Sequence, residues 1–417
     1  MWRQFDAQDW VMKRRAGLQD VREIVSRIVT QVGEQGDRAL LELTERYDEV
    51  RLSALGVGAD QIAAAYAKVD QKLIEDLKQS KERIERFHAL QLGKLNWEEE
   101  VEPGVKLGMR SMPMDRVGVY VPGGRAAYPS TALMCIIPAK IAGVRQVVCC
   151  TPPPIHPLIL VALDLAGADE IFAVGGAQAI AAMALGTSTI SPVQKIVGPG
   201  NNYVTAAKMQ LKDHIDIDFP AGPSELAVLA DDTAEAAFIA ADIIAQAEHD
   251  PNAACVLITT DASLAERVGK NIEEQTRETK RKEVIERSLS NCGYILAKSL
   301  SEAIDTANVI APEHLSIQIR NPRLALDKIR NAGAVFIGPY SAVACGDYSS
   351  GTNHVLPTAG YSRTYSGLDV RHFCKSVSVQ EVSREGLKSI GPIAMSLAEA
   401  EGLQAHSESV RIRLEKK

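Results

Sequence analysis

The sequence is poor in the features that mark several common classes of protein. Its seven cysteines are scattered, odd in number and never spaced C-x-x-C, which argues against a disulfide framework or a cysteine-bound zinc and favours reduced thiols. Aromatic residues make up only 5 % of the chain and its net charge is −7, so nothing indicates a basic or stacking face for nucleic acid. No segment approaches the roughly 18 consecutive apolar residues of a membrane span, and the N-terminus lacks the apolar stretch of a secretion signal. We therefore expect a cytoplasmic protein that binds neither membrane nor nucleic acid.

Three common site motifs are missing as well. The chain contains no G-x-G-x-x-G, no G-x-x-x-x-G-K-[ST] and no H-E-x-x-H, so no short fingerprint for a nucleotide or a catalytic zinc identifies its function. What remains is an ordinary globular composition, with 46 % hydrophobic and 24 % charged residues. The length of 417 residues suffices for two or three domains with sizeable cores.

Hydrophobic periodicity divides the chain into helical and alternating segments. Residues 21–47 and 60–90 carry apolar positions at helical spacing, and His88 in the second segment is expected to be a solvated surface residue. From residue 117 onward, short apolar strands alternate with helices, with glycines directly after the strands, and the pattern repeats between residues 226 and 337. This alternation predicts βαβ units in two parallel sheets. In the sheet of residues 120–222, ligands are expected at the carboxyl ends of the strands.

The C-terminal part has a different texture. Residues 358–382 predict an extended excursion, and residues 383–417 predict mostly helix. A helical tail of this length after two complete-looking units often docks elsewhere, including on a partner chain.

The end of the helix before Pro251 carries the first candidate site residues. Gln246 and His249 are three positions apart, so both side chains project from one face of the last turn. An amide oxygen and a neutral imidazole there offer half of a metal or substrate site. Taken alone, the pattern favours a polar C-terminal turn, because glutamine is a poor zinc ligand.

Two further segments contain acid and imidazole groups. Glu313 and His314 are adjacent at the edge of a predicted strand, where they can act as two separate general acid–base groups or face solvent as a loop pair. Asp347 and His354 lie in a glycine- and serine-rich loop. The aspartate there can bind a cation or an ammonium group, or can cap its own turn.

The remaining candidates lie at turns and on the tail. Ser224 can hydrogen-bond a substrate or cap the turn before a strand, while Glu401 and His406 are ligand-type residues on what can also be a plain amphipathic surface helix. The glycine-rich turns suit a dinucleotide or are ordinary turns. The side chains that a dinucleotide would meet there are Tyr120, Gln178 and Asn201.

Four of the candidates make a plausible zinc set of two nitrogen and two oxygen ligands. They are Gln246, His249, Asp347 and His406. Because the set spans about 160 positions, spacing along the chain does not prove that its members meet.

Taken together, the motifs resemble histidinol dehydrogenase. The strings that carry the resemblance run from about residue 20 to 410 in this order: GVYVPGG, GGAQAI, VGPGNNYV, DFPAGPSE, AQAEHDPNA, APEHL, GDYSSGTNHVLPT and EGLQAH. The resemblance implies a zinc-dependent homodimer of histidine biosynthesis that oxidises L-histidinol to L-histidine in two NAD-dependent steps, through L-histidinaldehyde. The loop at residues 125–128 is less typical of the family, and no proposed catalytic group lies in it.

The resemblance also implies roles for the candidate residues. Glu313 and His314 are the implied catalytic acid–base pair. The implied ligands of one zinc ion per site are Gln246, His249, Asp347 and His406. The implied substrate contacts are Ser224, Gln246, His249, His314, Asp347, His354, Glu401 and His406. The implied NAD contacts are Tyr120, Gln178 and Asn201. The tail of this family crosses to the other subunit, so Glu401 and His406 are expected to complete the partner's site.

The expected fold is α/β, with two Rossmann-like βα domains that contain incomplete parallel sheets, a small extended segment, and a helical C-terminal tail exchanged in a dimer. The first domain is expected to comprise residues 20–119 and 223–363 and to carry most of the zinc-binding and catalytic residues. The NAD-binding second domain is expected at residues 120–222. A small dimer-linking domain is assigned to residues 1–19 and 364–382, and the tail to residues 383–417.

Other functions remain open on the residues alone. A related dehydrogenase that oxidises another small alcohol, such as a sulfonated diol, would use the same scaffold, although Glu401 and His406 suit a substrate with an amine and an imidazole. A non-catalytic zinc-stabilised dimer or a binding protein would have no use for the Glu313–His314 pair. A hydrolase would need a nucleophile constellation, and Ser224 has no neighbouring histidine or aspartate in sequence that is placed as its base.

Overall fold

The computed structural model describes residues 2–14, 21–123 and 127–416. Part of the 125–128 loop and of the turn after the strand ending at Tyr120 lies outside the described residues. The strands are β1 (Arg3–Gln4), β2 (Trp97–Glu102), β3 (Val105–Pro113), β4 (Arg116–Tyr120), β5 (Gln146–Thr151), β6 (Glu170–Ala173), β7 (Lys195–Val197), β8 (Asp216–Ile217), β9 (Glu225–Ala230), β10 (Ala254–Thr259), β11 (Gly293–Leu296), β12 (His314–Gln318), β13 (Ala334–Ile337) and β14 (Cys374–Val382).

The helices surround these strands and connect most of them. They are α1 (Ala7–Arg14), α2 (Arg22–Gln35), α3 (Asp37–Tyr47), α4 (Ala59–Tyr66), α5 (Gln71–Leu92), α6 (Pro129–Ala142), α7 (Pro157–Ala166), α8 (Gly176–Leu185), α9 (Asn202–Gln210), α10 (Ala236–Ala247), α11 (Ala262–Thr276), α12 (Lys282–Ser288), α13 (Leu300–Ile310), α14 (Pro322–Leu326), α15 (Val343–Tyr348), α16 (Arg384–Ala400) and α17 (Gln404–Glu415).

The first sheet is parallel and has the strand order β1-β11-β10-β9-β12-β13. Its central strands β9 and β10 have the sequences ELAVLA and ACVLIT and are buried along their whole length. Such strands form the middle of a parallel sheet because crossover helices cover both of its faces. The chain moves from β9 to β10 and β11 on one side and later to β12 and β13 on the other, so the strand order reverses between β9 and β12.

The second sheet is also parallel and has the order β6-β5-β4-β7-β8. The chain moves from β4 to β5 and β6 on one side and then to β7 and β8 on the other. The order therefore reverses between β4 and β7, which is where doubly wound sheets open a crevice for a ligand. The predicted α/β class with two parallel sheets is confirmed.

The helices of residues 22–92 lie on the second sheet, whereas the expected division placed them in the first domain. The apolar sides of α2 and α3 pack with α8 and α9 on one face of this sheet, and those of α4 and α5 pack with α6 and α7 on the other. The faces of the first sheet are already covered by its own helices, among them α10, α11 and α13. The sequence did not show which sheet these helices cover. Hydrophobic periodicity indicates that a helix has an apolar side, but it does not identify the element that this side contacts.

His88 is fully buried, so its predicted place on the solvated surface was wrong. It lies on the inward stripe of α5 together with Ile74, Leu77 and Ile84. Its Nδ1 donates to the Ile84 carbonyl (2.8 Å). The charged sequence around it conceals this stripe, which is narrow but keeps strict helical spacing.

Two other segments differ from the expected division. Strand β1 pairs with β11, and α1 packs on α13, so residues 2–14 extend the first sheet. Strand β14 pairs antiparallel with β3 from Val105↔Val382 to Pro113↔Cys374, and β2 pairs with the other edge of β3. Residues 97–113 therefore form one sheet with the extended segment near residue 380, because the backbone N–H and C=O groups of β3 are hydrogen-bonded by β14 and β2. Beyond these corrections, the division into domains stays a prediction.

The tail helices α16 and α17 pack on each other, with Gly391 close to Val410 and Leu414. Their other side is apolar and open, since Ile393 is 63 % and Leu397 60 % exposed. Nowhere in the described ranges is a helix both long enough and apolar enough to cross a bilayer.

Candidate active site

The backbone of a neighbouring strand fixes the acid–base pair. Glu313 directly precedes β12 and His314 is its first residue, paired in register with Leu226 of β9. The Glu313 Oε2 atom accepts a hydrogen bond from the Glu225 N–H (2.7 Å), and His314 Nδ1 donates to the Glu225 carbonyl (3.1 Å). Both side chains are buried. The alternative of a solvent-facing loop pair is therefore excluded.

The second ring nitrogen of His314 points at an acid. Its Nε2 lies 3.8 Å from Oδ1 of Asp347, and it is buried with no hydrogen-bond partner among the described residues. Because Nδ1 carries the ring proton toward the Glu225 carbonyl, Nε2 holds the lone pair in the neutral ring. A buried nitrogen left without a partner costs about 1–3 kcal/mol, so it is retained where a substrate proton needs an acceptor.

The surrounding charges make His314 a strong base. Burial lowers its pKa, but the carboxylates of Glu313 and Asp347 outweigh burial and raise the pKa to about 9. In this state the ring is mostly protonated at neutral pH. A cation held by Asp347 would cancel the contribution of that carboxylate and lower the pKa toward neutrality.

Asp347 and His354 lie beside this pair. The structure places Asp347 in the last turn of α15, where the sequence predicted only a loop. His354 Nδ1 donates to the Asp347 carbonyl (2.9 Å) and lies 3.9 Å from its Oδ1. Burial lowers the pKa of His354, Asp347 opposes it, and the charges of His314 and His249 lower it further. The side chains of His249, His314, Asp347 and His354 are therefore close enough for their charges to interact.

The end of α10 and the start of β9 carry the remaining candidates within one chain, of which His249 is close enough for its charge to act on His354. Gln246 is buried in the last turn of α10, and the half-buried His249 follows two residues past the helix end. A helix C-terminus carries partial negative charge, which favours a cation there. Ser224 directly precedes β9, and its carbonyl accepts from the Ala254 N–H (3.0 Å).

This group lies at the amino edge of the first sheet, whereas most parallel sheets bind ligands at the carboxyl edge. Glu313 and Ser224 come just before their strands, and α10 returns from the carboxyl end of β9 to deliver Gln246 and His249 at the opposite edge. The strands between which the group lies are still β9 and β12, where the strand order reverses. The reversal point therefore holds the site, but at the other end of the strands.

A buried ion pair behind the acid–base pair was missed by the sequence analysis. Glu225 opens β9, and its Oε2 lies 2.5 Å from Nη1 of Arg14, while its Oε1 accepts from the Ala359 N–H (2.9 Å). Arg14 also donates to the Ile310 carbonyl, and its guanidinium stacks on Trp10. The feature of the sequence that could have indicated this ion pair is the acidic residue at the start of an otherwise apolar strand.

Removing the arginine should destabilise the protein in a pH-dependent way. Burial and the nearby Glu313 raise the pKa of Glu225 from 4.5 to about 7, and Arg14 opposes the shift. The folded state therefore holds this proton more tightly than the unfolded state, and the contribution of Glu225 to stability falls as pH rises through that window. We expect Arg14→Met to cost about 3–5 kcal/mol at pH 8, where the carboxylate is left charged and unpaired, and less at pH 6.

Urea unfolding at the two pH values measures this difference. The matched control is the double variant Arg14→Met/Glu225→Gln, which leaves no buried carboxylate at this position and should show the same loss at both pH values. An equal loss for the single variant at pH 6 and pH 8 would contradict the assignment.

The residues expected to contact NAD lie together at the carboxyl edge of the second sheet. Tyr120 is the buried last residue of β4, and its hydroxyl accepts from the Gly176 N–H (3.1 Å). Gln178 is buried in the first turn of α8. Asn201 caps α9, with Oδ1 accepting from the N–H groups of Tyr203 and Val204, so that its amide NH2 stays available.

A second buried ion pair, also missed, holds the glycine turn after β7. Lys208 Nζ donates to Asp218 Oδ1 (2.6 Å) and to the Gly198 carbonyl (2.7 Å), and Asp218 Oδ2 accepts from the Gly198 N–H (2.8 Å). Gly198 has φ +113°, and a Cβ there would lie 2.2 Å from the Tyr120 carbonyl oxygen, so only glycine fits. The turn between β4 and β7 is thereby fixed in place.

The first sheet's amino edge lies close to the second unit. Burial raises the pKa of Tyr348, and the charges of Asp347, Glu248 and Tyr128 raise it further. Tyr128 precedes α6, at the carboxyl edge of the second sheet, whereas the other residues belong to the first sheet's amino edge. The loop after α15 is also tied to the second unit, because Asn353 Nδ2 donates to the Met134 carbonyl (2.7 Å).

Two candidate residues do not join the group within the chain. Glu401 and His406 lie on exposed surface at the end of α16 and in the first turn of α17. Glu401 follows Ile393 and Leu397 at intervals of four, so it continues the exposed apolar stripe of α16.

The candidate ligands within one chain are of donor types that zinc accepts. Gln246 and Asp347 offer oxygens and His249 a nitrogen, next to the C-termini of α10 and α15. In the described ranges no group of three or more histidine, cysteine, aspartate or glutamate side chains is close enough to hold a metal ion. A site built here accordingly uses the glutamine amide and a further ligand.

The two parallel sheets and the buried acid–imidazole pair at the amino edge of the first sheet are features of an α/β enzyme. The family model for histidinol dehydrogenase matches residues 11–414. A histidinol dehydrogenase from Methanosarcina mazei is 49 % identical, with 97 % of this chain and 94 % of the relative covered, and one from Vibrio parahaemolyticus is 44 % identical, with 99 % and 96 % covered. The crystal structure of histidinol dehydrogenase from Elizabethkingia anophelis superimposes with a TM-score of 0.94 at 39 % identity, over 99 % of this chain and 96 % of that one.

The chain therefore belongs to the histidinol dehydrogenase family, and it is an oxidoreductase.

Proposed function

We propose that this enzyme oxidises L-histidinol to L-histidine through L-histidinaldehyde, in two successive NAD-dependent hydride transfers that conclude histidine biosynthesis in the cytoplasm. The observation that carries the proposal is the unpaired Nε2 of His314, which points toward Asp347 beside the Glu313 carboxylate. Family membership supports the substrate, and the contact between the loop after α15 and the second unit supports a shared site for substrate and dinucleotide.

Gln246, His249, Asp347 and the partner's His406 would hold one zinc ion. When bound, zinc would fix the imidazole and the amine of histidinol and so orient its alcohol carbon. The chain's own groups complete the orientation, with Ser224, His354 and the partner's Glu401 as substrate contacts. Ser224 and His354 are partly buried, which would limit the access of bulk water to the polar end of the substrate.

NAD, held at the carboxyl edge of the second sheet by Tyr120, Gln178 and Asn201, would accept a hydride in each step. The Gly198 turn lies directly against the end of β4, because its Cα carries no side chain that would meet the Tyr120 backbone. The Lys208–Asp218 pair keeps that turn rigid from behind.

His314 and Glu313 divide the proton transfers. His314 Nε2 takes the proton of the substrate alcohol in the first oxidation, and the hydrogen bond from Nδ1 to the Glu225 carbonyl holds the required tautomer. Glu313 activates the water that hydrates the aldehyde before the second oxidation. The Glu225 N–H holds its Oε2, so the other carboxylate oxygen is free to face that water.

A homodimer with shared sites is supported by the unpartnered apolar surface. Ile393, Leu397 and Glu401 share one face of α16, and the three-stranded sheet exposes Trp97, Met112 and Val377. Burying this surface on a second copy would carry Glu401 and His406 to the partner's site. Solvent-exposed apolar side chains at this density favour a protein interface over a free surface.

The direct test is a coupled assay with purified protein, NAD and L-histidinol. We expect two NADH formed per histidinol consumed, loss of turnover after a chelator has removed the metal, and recovery when zinc is returned. Reduction of NAD by another small alcohol, such as a sulfonated diol, without reduction by histidinol would replace this function by the rival dehydrogenase activity.

Glu313→Gln should separate the two half-reactions. We expect oxidation of added histidinaldehyde to fall about 10²–10⁴-fold, because the base for water is lost, and oxidation of histidinol to fall less. The amide also removes a charge that raises the pKa of His314, so the alkaline rise of histidinol oxidation should move to lower pH. Equal losses in both half-reactions, measured by single-turnover NADH formation, would count against the division of roles. An isosteric control, Glu248→Gln, changes an exposed acid nearby and should leave the ratio unchanged.

A further inference from the structure

Asp48 places a carboxylate at the carboxyl edge of the second sheet from outside that sheet. The residue directly follows α3, and its N–H closes the last turn of the helix on the Thr44 carbonyl (2.9 Å). Its Oδ1 lies 3.4 Å from the position that a Cβ on Gly175 would occupy, and Pro152 lies against the same position. The carboxylate is therefore beside the ends of β5 and β6.

One oxygen of this carboxylate has no partner. Oδ2 of Asp48 is buried and accepts no hydrogen bond from the residues that the structure describes. Burial raises the pKa of Asp48 to about 6, so the group is still mostly charged at neutral pH. A charged, desolvated oxygen without a donor costs folding free energy that the chain recovers only if a ligand supplies the donor.

The position of the group relative to the strand order indicates which part of a ligand it meets. A dinucleotide in a doubly wound sheet lies across the reversal point, here between β4 and β7, and its adenosine half extends over the strand next to β4 on the side away from β7. That strand is β5. In dinucleotide-binding sheets an acid near the end of this strand accepts from the ribose hydroxyls. Here β5 ends at Thr151 and is followed by three prolines, so the strand supplies no such acid.

We propose that Asp48 accepts hydrogen bonds from the adenosine ribose hydroxyls of the dinucleotide, and that it thereby selects NAD over NADP. The neighbouring polar groups support this placement. Tyr120 is close enough for the charge of Asp48 to act on it, and the Gln178 amide folds back to Gly176 on the same turn. The inference rests on the proposed NAD-dependent function and adds the residue that hydrogen-bonds the adenosine ribose.

The selectivity follows from charge. A carboxylate accepts from the 2′-hydroxyl, but it repels a 2′-phosphate at the same position and has no proton to offer it at neutral pH. Within the part of the chain that the structure describes, the Asp48 carboxylate forms no ion pair with an arginine or lysine that could instead receive such a phosphate.

Equilibrium binding to the full chain tests the inference without turnover. Isothermal titration calorimetry with NAD, NADP and NAD that lacks the adenosine 2′-hydroxyl gives three dissociation constants for each protein. For the unsubstituted chain we expect NAD to bind at least about tenfold tighter than the other two, as expected for a hydrogen bond to a charged group. For Asp48→Asn we expect weaker NAD binding and a ratio of NADP to NAD dissociation constants reduced about tenfold.

Two controls keep the outcome clear. Asp213→Asn changes an exposed acid at the opposite edge of the sheet and should alter none of the three constants. Asp48→Ser gives a second variant with more room for a phosphate and should show the same change in ratio. Equal binding of NAD and the 2′-deoxy analogue by the unsubstituted chain, or an unchanged ratio in both variants, overturns the role of Asp48 alone. Failure of the unsubstituted chain to bind either dinucleotide overturns the NAD-dependent function as well.

Discussion

His249→Asn should release the metal and abolish histidinol oxidation. The imidazole is the only nitrogen ligand that the core supplies to the proposed zinc set, and asparagine at this position neither reaches as far nor offers a comparable donor. Orientation of bound reactants is worth about 7–11 kcal/mol when the geometry is ideal, so losing it should lower kcat by at least about 10³-fold.

Metal content and turnover are measured on the same preparations. Elemental analysis should find about one zinc per chain in the unsubstituted protein and a small fraction of that in the variant. The control is His214→Asn, which changes an exposed histidine at the amino edge of the second sheet and should affect neither quantity. Full activity in a metal-free His249→Asn preparation would remove the orienting role of zinc.

Two inactive variants should restore each other when they share a dimer. If the tail of one subunit completes the site of the other, a heterodimer of His249→Asn and His406→Asn has one site with both substitutions and one with neither. We expect about half of the turnover per dimer of the unsubstituted protein, whereas each variant alone is inactive.

The heterodimer is obtained by co-expression with two different affinity tags and sequential purification on both. If each tail acted on its own core, both sites of the heterodimer would carry one substitution and no activity would return. A heterodimer of His249→Asn with a second His249→Asn chain, purified in the same way, gives the background. Zinc content should follow activity, at about one ion per heterodimer.

Most of the fold followed from the sequence because most of its strands are buried. Strands such as β9 and β10 leave a continuous apolar run bounded by turns, which a parallel sheet requires and which few other structures produce. Strand β2, with the sequence WEEEVE, is exposed along its whole length and shows neither an apolar run nor alternation. Strand β2 forms because the edge of β3 hydrogen-bonds its backbone. This pairing leaves no pattern in the sequence of β2 itself.

The chemistry of the site could be predicted further than its geometry. The residue types at Glu313, His314 and Asp347 indicate acid–base and metal chemistry, and the family resemblance supplied their roles. The contacts that hold them could not be predicted, since Arg14 and Glu225 are 211 positions apart and nothing local marks either as the partner of the other. The position of the group at the amino edge of the first sheet could not be predicted for a related reason: the carboxyl-edge rule describes how most such sheets bind ligands, not where a particular helix end returns.

The pairing of His314 with Leu226 has a consequence for how this enzyme can change. The reactive groups are consecutive residues at the start of β12, and both hydrogen-bond the backbone of Glu225 at the start of β9, so the pairing of two buried strands fixes their positions. Loops around the opening can lengthen, shorten or alter their sequence without moving the acid relative to the imidazole. Substrate specificity can therefore change through the loops while the geometry of proton transfer stays the same. An enzyme that evolves to oxidise a different alcohol can keep the same acid–base pair.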